Sequence, residues 1–167
     1  MISGYLVGDK ELVARMTALA PAVKADMDAT VNRLGLQLEA NVAHDYLTGQ
    51  VLKVRTDRLR RSISRSDGGD TRSRFESTPL TSFSYVGTNV SYGTMWELYG
   101  MPAYDIVPVK AKALRFEIGG EVFFRKRVHH PAQAARPFLA PALAAFKPFA
   151  IEQMKASLQR TAEQVMK

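Results

Sequence analysis

Ser91-Tyr92-Gly93, inside the stretch VGTNVSYGTMWELYG (residues 86–100), carries half the pattern of a serine-hydrolase nucleophile elbow. The strained turn of an elbow leaves no room for a side chain two residues before the serine, and here that position is Asn89. An elbow also crowns a parallel sheet larger than a chain of 167 residues easily makes. The histidines are His44, His129 and His130, and an adjacent pair on a strand points to opposite faces, so His129 and His130 do not converge on one metal. No His-Glu-x-x-His spacing occurs, and the glycines at 87, 93 and 100 lack the Lys-Ser/Thr that follows a phosphate-cradling loop. The chain has no cysteine, which excludes thiolate nucleophiles, thiolate zinc sites and disulfides. These residues predict a protein that is not an enzyme and needs no metal or cofactor.

The strongest remaining chemical signal is charge. Lys53, Arg55, Arg58, Arg60, Arg61, Arg65, Arg72 and Arg74 stand against Asp57, Asp67 and Asp70, so this one stretch holds +5 of the formal net charge of +7. Such a patch attracts polyanions, and salt weakens the attraction. The alternative is a solvated face that meets nothing. Arg58, Arg60, Arg61 and Arg65 are the candidates to face a partner or DNA.

The elements that must carry these residues are legible from periodicity. Leu12, Met16, Leu19, Val23, Met27, Val31, Leu34, Leu38 and Val42 recur three or four apart and predict a long amphipathic helix, its apolar face laid on a sheet. Asp9 is placed to cap it, Gly49 to stop it, and Pro21 to kink or break it. Thr56 opens a short helix over TDRLRRSI as its cap. The basic, Gly-, Ser- and Asp-rich segment 65–74 reads as a mobile loop. LTSFSYVG alternates small polar residues with Phe83 and Tyr85, the pattern of a half-buried strand. Tyr92, Met95, Trp96 and Tyr99 fall on one face of a short helix ended by Gly100. Glu97 lies off that face, a solvated residue or else a candidate for an interface or a salt bridge.

Residues 114–128 predict a β-hairpin around Gly119-Gly120. A three-residue loop with a glycine bulge pairs Ile118 with Val122 and Phe116 with Phe124, keeping apolar residues together. Pro137, Pro141 and Pro148 each suit a helix start, so the C-terminal helix is expected in steps, with Ile151, Met154, Leu158 and Val165 on its apolar stripe. The sum is an α+β fold: an antiparallel sheet of about three to four strands, packed by the long N-terminal helix and the C-terminal helix, in one domain over 1–167. The apolar share of 46% suits a globular chain, and no apolar run approaches the roughly 20 residues of a membrane span. The N-terminus lacks a signal-peptide pattern. A soluble protein of a cytoplasm-like compartment is expected, with no membrane partner.

Three segments in order, VLKVRTDRLRRSI, YVGTNVSYGTMWELYG and IVPVKAKALRFEIGGEVFFRKRVHHPAQAARPFLAPAL, resemble the tail-completion or neck (head–tail joining) proteins of long-tailed bacteriophages. That family has a Thr-Gly-x-Leu-x-x-Ser-Ile-like segment, a Val-Gly-Thr…Tyr…Glu-x-Gly-like segment, a Pro…Leu-x-Phe hairpin and an Arg-Pro-Phe-Leu-x-Pro-Ala-Leu helix start. The match runs from about residue 51 to about residue 145. Two positions depart from it: Asp57 stands where the family usually has glycine, and Gln133 falls near another expected glycine. The resemblance implies a structural subunit of a homo-oligomeric ring, hexameric in the family, at the head–tail junction of a virion assembled in the bacterial cytoplasm. Its partners are then the connector and tail-tube proteins, with DNA passing through. Pro137, Phe138 and Leu139 anchor the C-terminal helix on this reading, and Tyr92, Trp96, Glu97, Tyr99 and Arg136 supply core or interface. A tail terminator or other minor tail ring protein is the near alternative. A small basic nucleic-acid-binding domain is the alternative of another class, and a small hydrolase using Ser91 is the most distant.

Overall fold

An alanine- and leucine-rich stretch with no glycine before Gly35 favours one continuous helix, and α1 runs unbroken over Asp9–Asn41. The computed structural model describes residues 9–52, 56–66 and 68–167; Lys53, Arg55 and Asp67 of the basic stretch lie outside them. Asp9 is already helical rather than a cap, and Pro21 sits inside α1 without ending it. A proline costs an interior helix about 3 kcal/mol, and the long contact of α1 with a second helix offsets that. A π-helical turn, Val42–Tyr46, continues α1, and Gly49 at φ 119° redirects the chain.

There follow α2 (Arg58–Arg61), β1 (Arg74–Ser77), β2 (Ser82–Tyr85), α3 (Ser91–Thr94), a second π-helical turn (Met95–Tyr99), β3 (Tyr104–Ile106), β4 (Leu114–Ile118), β5 (Glu121–Arg125), β6 (Val128–His130) and α4 (Leu139–Met166). The class is α+β, as the periodicities predict. The strands do not form one sheet of three to four members. They pair as three antiparallel two-stranded ribbons, β1–β2, β3–β6 and β4–β5. The chain divides into two compact units where its length predicts one domain: the described residues up to Val90 with Phe138–Lys167, and Ser91–Pro137.

In the first unit α1 packs chiefly on α4, antiparallel, rather than on a sheet. Leu34 and Val42 of the predicted stripe are buried, while Leu12 and Met16 at its other end are exposed. The apolar core sits where the two helices meet the connecting segments. Val42, Leu47, Ile63, Phe138 and Ala142 form it, with Leu38, Leu59, Val86 and Leu139 packed around them. Further along the helix pair the contact turns polar. Ser157 and Thr161 of α4 donate hydrogen bonds to the Asp26 carboxylate, the latter at 2.8 Å, and Thr30 meets Ser157 at 2.9 Å. The inner face of α4 is therefore Ala142, Phe146, Ser157 and Thr161, and the predicted stripe is displaced: Ile151 and Leu158 are exposed. Helix α4 is also not stepped. Pro141 lies in its first turn, where amide protons lack helical partners, and Pro148 is accommodated inside.

The β1–β2 ribbon reverses the expected sense of its alternation. Ser82 and Ser84 face inward, while Phe83 and Tyr85 are exposed. Gly35 explains this: a Cβ built there would lie 1.7 Å from Ser84 Oγ, so the approach of α1 admits only a glycine against a serine. Asp28 of α1 joins the two elements, accepting from Ser77 Oγ at 2.9 Å, Ser82 Oγ at 2.5 Å and Lys24 Nζ at 2.6 Å.

The β4–β5 hairpin has a strict two-residue turn. Ile118 pairs with Glu121, Phe116 with Phe123 and Leu114 with Arg125, not with the partners of a bulged loop. Gly119 and Gly120 have φ of 61° and 88°, and two consecutive positive φ values give the primed turn whose twist matches the strands. Face segregation is weak here: Ile118, Val122 and Phe124 are exposed and Leu114, Phe116 and Phe123 are only half-buried, so burial does little to specify another register.

Two outcomes follow. Phe138→Ala, emptying a fully buried site, lowers stability by about 3–5 kcal/mol in urea unfolding. Bonds from Lys24 first, then Ser82 and Ser77, hold the Asp28 carboxyl at about 2, below its ordinary 3.8. A depressed carboxyl gives stability that is complete above its unfolded value and lost as pH falls through the folded one. Thermal unfolding from about pH 5 to about pH 2 therefore shows a decline below 3.8, and Asp28→Asn makes that decline shallower.

Candidate functional site

The arginine cluster lies next to a backbone feature that the sequence does not announce. Asp57 precedes α2 with φ 60° and ψ −1°, and it is the sole non-glycine residue with positive φ among the described residues. Asp57 rather than Thr56 is thus the boundary of α2, and its side chain makes no capping bond. Its carboxylate turns instead to Arg60, 2.7 Å from Nε. Arg58 grips Asp70 with two bonds, 2.5 Å from Nε and 2.9 Å from Nη2. The carboxyls of Asp57 and Asp70 are accordingly held below the usual aspartate range, each first by the hydrogen bond from its arginine. Arg61 is exposed.

Arg65 is not a partner-facing residue. Its Nε lies 2.7 Å from Glu39 Oε1 and its backbone N–H 3.0 Å from Glu39 Oε2. Its guanidinium also donates to Asn32 Oδ1 at 2.6 Å and Ser84 Oγ at 3.2 Å. Glu39 is only 5% exposed, and a carboxylate so buried requires a paired cation. Asp70, Arg72 and Ser73 of the predicted loop are likewise tied. Asn89 N–H donates to Asp70 O at 2.6 Å, Arg72 reaches Asn89 Oδ1 at 3.0 Å, and Ser73 Oγ donates to Ile63 O at 2.5 Å. Arg74 already belongs to β1, stacked 4.2 Å over Tyr85. Arg58, Arg60, Arg65, Arg72 and Arg74 of the basic stretch are therefore each held by an ion pair or hydrogen bond within the chain.

The aromatic stretch that opens the second unit departs from an α-helical face. After α3 the chain widens into the π turn, with Gly100 N–H donating to Met95 O at 2.7 Å. The extra residue per turn breaks the i, i+7 alignment of Tyr92 with Tyr99. Tyr99 is 73% exposed and Tyr92 is exposed, so neither is core; Met95, Trp96 and Glu97 are half-buried. Trp96 does meet another candidate: the Arg136 guanidinium lies 5.7 Å from its ring centroid and the Arg136 N–H donates to Trp96 O at 2.8 Å. Met101 and Gln133 pair nearby as an antiparallel bridge. Pro137 is exposed, while Phe138 is wholly buried in the first unit's core with Leu139 packed against it.

The catalytic candidates stay apart. His129 and His130 point to opposite faces of β6: His129 Nδ1 lies 3.0 Å from Asp105 Oδ1, and the His130 ring stacks on Tyr104 at 4.8 Å. Arg127, then His129, holds the Asp105 carboxyl at about 2. This cluster is open to solvent, with the His129 and Arg127 side chains 65% and 69% exposed. Among the described residues, no group of three or more His, Asp or Glu is placed to hold a metal ion, and no helix is long and apolar enough to cross a membrane.

Two features escaped sequence reading. One is a cleft of about 440 Å³ in the first unit, between Gln37, Asn41, Asp45 and Tyr46 on one wall and Ala142, Phe146 and Phe149 on the other. The other is the two-sided exposure of the β4–β5 hairpin, whose strands pack chiefly on each other. The hairpin alternation is visible in the sequence, but nothing in it says that both faces stay uncovered.

Arg65→Met strands Glu39 in the interior and costs about 3–5 kcal/mol in urea unfolding, whereas the double change Arg65→Met with Glu39→Leu costs markedly less because no charge is left unpaired. Neither a family model, nor a curated protein, nor a solved structure matches the chain.

Proposed function

We propose that the chain is a structural virion protein of the head–tail junction of a long-tailed phage, a tail-completion or neck ring subunit that joins the connector to the tail tube. The observation that carries this reading is Asp57. The segment TDRLRRSI departs from the family pattern in having Asp where glycine is usual, and that residue adopts the left-handed conformation for which glycine is the default. Support comes also from RPFLAPAL, whose phenylalanine is the buried anchor at the start of α4. A ring subunit must leave apolar surface for its neighbours. Tyr99, Ile118 and Phe124 are 73%, 63% and 60% exposed.

Charge favours protein partners over DNA. Arg58, Arg60 and Arg65 are engaged by Asp70, Asp57 and Glu39, which leaves less net field for a phosphate grip, and a DNA conduit must let its cargo slide. A tail terminator ring rests on the same physics and differs in its neighbours alone.

In cells producing the phage that encodes this chain, disrupting its gene leaves heads and tails unjoined in electron micrographs of the lysate, and a plasmid copy restores joining. Joined, infectious particles at wild-type yield without it overturn the reading. The change of Arg58, Arg60 and Arg61 together to Ala leaves free DNA binding nearly unaltered. If the purified chain instead binds duplex DNA tightly at physiological salt, and the triple change lowers the salt slope by up to about three, the nucleic-acid-binding reading replaces it.

A further inference from the structure

The cleft and the hairpin are both unpartnered, and their chemistry is complementary. The cleft offers acceptors and rings. Asp45 is exposed and makes no ion pair among the described residues, and Phe146 and Phe149 stand 5.4 Å apart, tilted by 56°. The hairpin offers the opposite set. Across residues 109–128 six cations stand against Glu117 and Glu121, a net charge of +4. Arg115 and Phe124 are direct cross-strand partners, which places their side chains on one face about 5 Å apart at the Cβ atoms. Phe124 is 60% exposed and Arg115 has no ion-pair partner among the described residues.

We infer that the cleft beside Gln37 and Asp45 receives the β4–β5 hairpin of a second copy of this chain, with Phe124 seated against Phe146 and Phe149 and Arg115 meeting Asp45. The inference rests on the assembly reading above and adds the surfaces through which copies join. The two surfaces differ, so the contact is heterologous, and repetition of it generates a closed ring or an open filament, not a two-fold dimer. It also covers a hairpin that two strands alone would stabilise only marginally in water.

The absence of cysteine makes the test direct. Phe124→Cys and Phe149→Cys are prepared on separately tagged copies, mixed and oxidised. A disulfide between the two tags is expected, and Leu80→Cys, at a residue 91% exposed, does not replace Phe124→Cys as its partner. By light scattering, Asp45→Arg raises the dissociation constant of the oligomer about tenfold or more, and adding Arg115→Asp to the same chain restores most of the affinity. A defined oligomer that neither cross-links at these positions nor responds to the charge swap overturns the inference and leaves the assembly reading standing. A chain that remains monomeric on concentration, or whose hairpin binds duplex DNA instead, overturns both.

Discussion

Glu39 must have a cation, and everything around it is arranged to keep one there. Its carboxylate faces the interior from the last turns of α1, where an unpaired charge would cost several kcal/mol, and Arg65 meets it through both its backbone and its guanidinium. That one arginine also holds Asn32 and Ser84. The chain after α2, the long helix and the β1–β2 ribbon thus converge on a single side chain. Ile63 is delivered to the apolar core two residues before it.

The first unit is consequently joined by two kinds of force in different places. Around Phe138 it is held by apolar burial, which is tolerant of geometry. Along Asp26, Asp28 and Glu39 it is held by hydrogen-bonded carboxylates, which are not. The polar contacts choose the register of α1 against α4 and the ribbon, and the small apolar cluster supplies the drive to close. Gly35 shows how tight that register is, since only hydrogen fits in the space that Ser84 leaves.

The sequence conveyed a great deal of this where periodicity is long. Helices α1 and α4, strand β2 and the hairpin were all legible, because each rests on repeated spacing or a run of fitting residues. What failed did so for identifiable reasons. Arg65 reads as one more surface cation because nothing local marks its partner, which is 26 residues away. The β2 alternation was correct but its inside and outside were exchanged, since a glycine on another element decided which face fits. The hairpin register followed turn chemistry rather than side-chain matching, because no neighbour enforced the match. Tyr99 left the core when one π turn shifted the helical phase. Of the candidate site, Trp96 and Arg136 were brought together, whereas Arg58, Arg60 and Arg65 proved to be engaged within the chain and the cleft had no sequence signature at all.

The order in which the chain is synthesised meets the way its units are divided. The second unit is one continuous stretch, Ser91–Pro137, and all its strand pairings close within it. The first unit is discontinuous: α1 finds its main partner in α4, and Thr30 touches a residue 127 positions later. Contacts so distant along the chain form slowly, since a long loop must close before they reward it. During translation the long helix therefore waits with its inner face uncovered while the whole second unit is made. The exposed carboxylates and hydroxyls on that waiting face, Asp26, Asp28 and Thr30 among its apolar residues, keep it wetter than a purely aliphatic stripe would be. The same polar contacts that set the register in the finished protein thus protect the nascent one from premature association.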